Sequence, residues 1–86
     1  MPRNPKFALT AAQQATADWA KTVILPVANK EGQISVSYEK RNGEEKVITG
    51  TAVRVEGYGC SSHVKIMTDD GIRSANLWAI KGIRVL

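Results

Sequence analysis

The spacing of hydrophobic positions changes once along the 86 residues. In the N-terminal part, Ala12, Ala15, Trp19 and Val23 recur three and four apart, the stripe of an amphipathic helix. Thr10 and Gln13 stand ahead of it as a capping box, hydroxyl and amide each satisfying a first-turn N–H. A helix is therefore expected from about Ala11 to Thr22, with Pro26 as its stop and Asn29 to Gly32 as a loop. The stripe is mostly alanine, so Trp19 is its one large anchor. A helix of about twelve residues is marginal alone in water and must dock on something.

From Gln33 the period becomes two. Ile34, Val36 and Tyr38 alternate with Ser35, Ser37 and Glu39, the pattern of a half-buried strand. Asn42-Gly43 then separates two β-rich runs, the strongest short-range hairpin signal. A two-residue turn there sets Arg41 opposite Glu44, Lys40 opposite Glu45 and Glu39 opposite Lys46, all of opposite sign. It also puts Val47, Thr49 and Thr51 on the inward face beneath Tyr38, Val36 and Ile34, with Val53 and Val55 continuing in phase. The second strand, about Glu45 to Glu56, is long and carries Gly50 where a bend is expected. A bent strand that serves two sheets suggests a small barrel.

Residues 57–62 read as a loop. A second hairpin turns on Asp70-Gly71, placing Ile66 opposite Ala75 and Val64 opposite Leu77. Trp78-Ala79-Ile80 reads as one helical turn and Gly82 to Leu86 as a closing strand. The expected fold is mainly β with one N-terminal helix (α+β), a five-stranded small barrel over residues 33–86. Residues 1–9, with two prolines, read as a flexible arm before a single domain, 10–86.

Composition narrows the classes without naming a function. The chain is 43% hydrophobic and 23% charged, which fits neither a disordered nor a repetitive protein. The longest apolar run, Val23 to Ala28, is far short of the roughly 18 residues of a membrane span. Met1 to Lys6 is a basic start, but the stretch before Ala15-Thr16-Ala17 is too short and polar for a signal peptide. The one cysteine makes no internal disulfide, so a cytoplasmic protein is expected. The +4 charge divides evenly between residues 1–31 and 32–86, with no run of like charges.

Two families share local patterns with the barrel region. Asn42-Gly43, Gly50-Thr51, Val53-Arg54-Val55 and Ile80-Lys81-Gly82-Ile83 resemble the two motifs of Sm-like RNA-binding proteins. Those proteins place an Asp and an Asn after the second strand, where this chain has Glu56-Gly57-Tyr58-Gly59-Cys60. Ile34 to Tyr38, Gly43-Glu44-Glu45 and Arg73 to Ile80 are similar to the WYL regulatory domain, itself an Sm-like barrel, without the WYL tripeptide. The resemblance implies an SH3/Sm-like barrel over residues 33–86. It implies no single function, because such barrels host many.

The chemistry-bearing residues point away from catalysis. Cys60 and His63 have C-x-x-H spacing, but there is no second cysteine or histidine to complete a metal site. As a nucleophile pair they lack an orienting group. Asp69 and Asp70 sit where aspartate supports a turn, and Gly57-Tyr58-Gly59 lacks the Lys-Ser/Thr of a phosphate loop. No enzyme, metal or cofactor is expected. Arg54, Lys65, Lys81 and Arg84 fall on the presumed outward face with Arg73 at a hairpin end. With Tyr58 as a stacking platform, they form the expected nucleic-acid surface. The competing expectation is a protein-interaction module or homo-oligomer, anchored by Trp19 and Trp78.

Overall fold

The computed structural model describes residues 8–86, so most of the expected N-terminal arm lies outside the described residues. Helix α1 spans Ala11–Asn29, and the strands are β1 (Gln33–Glu39), β2 (Glu45–Glu56), β3 (His63–Thr68), β4 (Gly71–Asn76) and β5 (Ile80–Val85). Short 3₁₀ turns occupy Gly59–Ser61 and Leu77–Ala79. The strands form one antiparallel sheet in the order β4-β3-β2-β1-β5. Strands β4 and β5 are its two edges and do not pair with each other, so the sheet stays open. α1 packs on one face, against β2, β5 and the turn at Leu77–Ala79.

The capping box forms as expected: the Gln13 N–H donates to Thr10 Oγ1 at 3.1 Å, and the Thr10 N–H to Gln13 Oε1 at 2.9 Å. Two features of the helix differ from expectation. It runs through Pro26 to Asn29 and does not end near Thr22. Pro26 is exposed and has no N–H for the Thr22 carbonyl one turn back, and burial of Ile24 and Ala28 holds the last turns. The buried stripe is Ala17, Ala20, Ile24 and Ala28, rotated from the expected Ala12, Ala15, Trp19 and Val23. Small residues on that stripe let the helix backbone approach the sheet, leaving Trp19 44% exposed.

The first hairpin is also one residue out of the expected register. Its loop has three residues, not two. The Gly43 N–H donates to the Lys40 carbonyl at 2.9 Å, and the Lys40 N–H to the Glu44 carbonyl at 2.7 Å. Gly43 takes φ +88° while Asn42 keeps a negative φ, so the mirror-image turn is not formed. Val36 pairs with Ile48 and Ile34 with Gly50, and Glu39 faces Glu45 instead of Lys46. A slip of one turns every side chain over. Ile48 and Ala52 are therefore buried, and Val47 lies outside. An irregularity between Ala52 and Arg54 restores the odd phase, and Val55 pairs with Val64 on the inner face.

The second hairpin is shifted by two, pairing Val64 with Ala75 and Ile66 with Arg73 around Asp69-Asp70. An even shift keeps the faces, so Val64, Ile66, Ala75 and Leu77 are all buried as expected. The fully buried large side chains are aliphatic: Ile24, Ile34, Val36, Val64, Ile66 and Leu77. Among the described residues no polar or charged side chain is buried.

Candidate nucleic-acid interface

The expected cations do not form one patch. Arg54 and Lys65 are register partners on the outward face of β2 and β3. Between them Glu56 takes Lys65 Nζ at 2.8 Å, Arg54 Nε at 3.3 Å and His63 Nε2 at 4.0 Å. The Lys65 hydrogen bond holds the Glu56 carboxyl below its usual range, against desolvation and with help from the charges of Arg54, Lys65 and His63. Glu56 therefore offsets one of these two positive charges. Arg84 lies outward on β5 opposite Ser35, two strands from β2. Arg73 belongs to the other phase, directly opposite the buried Ile66, and remains exposed only because β4 is an edge.

Tyr58 stands almost fully exposed, 88%, on the β2–β3 loop. That loop is closely bonded. The Ser61 hydroxyl donates to the Tyr58 carbonyl at 2.8 Å, and the Trp78 indole N–H donates to the Cys60 carbonyl at 2.8 Å. Cys60 and His63 do not meet as a pair: His63 Nδ1 contacts the Ser61 carbonyl, and the Cys60 carbonyl serves Trp78. Among the described residues no three His, Cys, Asp or Glu side chains cluster at metal-binding range.

What the fold does assemble is a groove on the other side, beside the open edge. The first turns of α1, the end of β1, the edge of β4 and the start of β5 enclose a cleft of about 940 Å³. Trp19 from α1, Tyr38 from β1 and Trp78 from the turn before β5 line it, with Lys40, Arg41 and Lys81. Lys81 is tied to Glu39 at 3.4 Å, and Lys40 reaches Glu44 only at 4.0 Å. A second hollow shares Tyr38, Lys40 and Ser74 with it and adds Lys46, Arg73, Asp69 and Asp70. The groove thus takes Lys81 from the expected nucleic-acid set and Trp19 and Trp78 from the expected partner set.

Sequence reading missed Tyr38, Lys40 and Arg41 as site residues. Tyr38 was legible only as the last inward position of an alternating strand. Lys40 and Arg41 were assigned to cross-strand pairs that the three-residue loop does not make.

Fold and site together define a helix-backed, open five-stranded antiparallel sheet with an aromatic, cationic groove. Comparison with protein families, curated proteins and solved structures returned no match. Among the described residues no helix is long and apolar enough to cross a membrane.

Proposed function

We propose that the chain is a non-catalytic binding module of the SH3/Sm-like small-barrel class that holds nucleic acid in this groove, in the cytoplasm. One observation carries the reading: Trp19, Tyr38 and Trp78 line the same concave strip as Lys40, Arg41 and Lys81. Unpaired bases stack on aromatic faces while cations follow the phosphates, and the combination tolerates any sequence. The outward cations Arg54 and Lys65 stand outside this groove and are not part of the proposed contact.

A salt titration of binding to a labelled single-stranded oligonucleotide tests this. Three phosphate contacts give a log–log slope of roughly −2 for a single strand. Arg41→Ala and Lys81→Ala are expected to flatten the slope, and Trp19→Ala to weaken binding at every salt concentration. Arg54→Ala and Lys65→Ala leave it near the parent. Absence of binding at low salt, or loss with Arg54→Ala but not Arg41→Ala, overturns the proposal.

A second reading, a protein-interaction regulator, is favoured by the outward face of β2 to β4. Val47, Met67 and Ile72 are exposed there beside an unpaired strand edge.

A further inference from the structure

The two sheet edges are unequal in how they are guarded. β5 carries Lys81 and Arg84, a glycine at position 82 and a register break against β1 between Ser37 and Tyr38. These devices discourage a further strand from joining. β4, Gly71-Ile-Arg-Ser-Ala-Asn76, has no proline, no lysine and no register break against β3. Its outward apolar residue, Ile72, is 56% exposed and pairs with Met67, itself 46% exposed. An unpaired edge therefore runs alongside an uncovered apolar pair.

The charges along β4 select the occupant. Asp69 and Asp70 form its leading turn and Arg73 follows within the strand. Among the described residues none of the three has an ion-pair partner inside the chain. An antiparallel strand of the same sequence brings its own acidic turn to the opposite end, so unlike charges meet twice. We infer that β4 pairs with β4 of a second copy about a two-fold axis at Ile72. Ile72 then lies against its counterpart, flanked by both Met67 side chains, and each Arg73 stands opposite Gly71 of the other copy, next to that copy's Asp69-Asp70 turn. Such an isologous contact closes at two chains. The inference does not rest on the nucleic-acid reading.

Sedimentation equilibrium of nucleic-acid-free protein over a wide concentration range tests the pairing. The expected species is a dimer, twice the 9.4 kDa chain. Ile72→Lys and Arg73→Asp are each expected to raise the dissociation constant by roughly tenfold or more, consistent with the loss of a buried or charge-paired contact. Both should keep the parental circular dichroism and melting profile of the monomer. Arg73→Asp combined with Asp69→Arg and Asp70→Arg should restore the dimer, which a general loss of folding would not. A monomer at all concentrations, a ring of more than two chains, or a dimer unmoved by Ile72→Lys overturns the inference.

Discussion

Adjacent residues Val47 and Ile48 discriminate between the two possible registers of the first hairpin. The two-residue turn suggested by Asn42-Gly43 buries Val47, whereas the three-residue loop of the structure buries Ile48. Ile48 is 8% exposed and Val47 65%. Ile48→Ala strips three carbons from a nearly dry site, about 2.4 kcal/mol of transfer free energy at ~0.8 per carbon. The cavity left behind adds to this, giving about 2–5 kcal/mol in total. Val47→Ala removes atoms already in water and should stay within about 0.5 kcal/mol of the parent. Urea unfolding at constant m-value, with thermal melting alongside, measures both. For a domain of this size the transfer part of Ile48→Ala alone should lower the melting temperature by roughly 10–20 °C, at 4–8 °C per kcal/mol, and the cavity lowers it further. If Val47→Ala costs as much as Ile48→Ala, the register is wrong and with it the groove, because the same slip frees Lys40 and Arg41 from their expected partners.

Two other outcomes follow from the packing and the ion pairs. A methyl group at Gly50 meets the Met67 carbonyl oxygen, lies 2.9 Å from the Met67 carbonyl carbon and 3.0 Å from Ile66 Cγ2. Two of these atoms are backbone and cannot swing aside, so Gly50→Ala should cost about 1–3 kcal/mol by urea unfolding. Gly82→Ala, which meets only the Ser37 hydroxyl at 3.0 Å, should cost less; the reverse order would refute the account. Glu56, held below its ordinary value of 4.5 chiefly by Lys65, contributes stability that is complete above that value and lost as pH falls through the lowered one. In Lys65→Met an NMR titration should find the Glu56 carboxyl moved back towards 4.5, and the stability difference from the parent should shrink on acidification. An unchanged Glu56 titration would show that Lys65 is not its main partner.

The limits of β2, Glu45 to Glu56, were legible in the sequence because a run of β-branched residues between a turn and a glycine-rich loop admits little else. The capping box, the inward set Ile34, Val36 and Tyr38, and the buried set Val64, Ile66, Ala75 and Leu77 were legible for the same reason. Each depends on local chemistry or on a period of two that survives an even shift. The face of β2 was not legible, since Val47 and Ile48 are both good strand residues and only the φ of Gly43 and Asn42 decides which points inward. Nor was the buried side of α1, where Trp19 looked like the anchor. The sheet accepted alanines instead: Ala17, Ala20 and Ala28 are buried beside Ile24, and Trp19 is left at the margin. The groove depends on both decisions, and on β4 and β5 remaining apart. It is therefore a property of tertiary packing, assembled from residues that carry no shared motif along the chain.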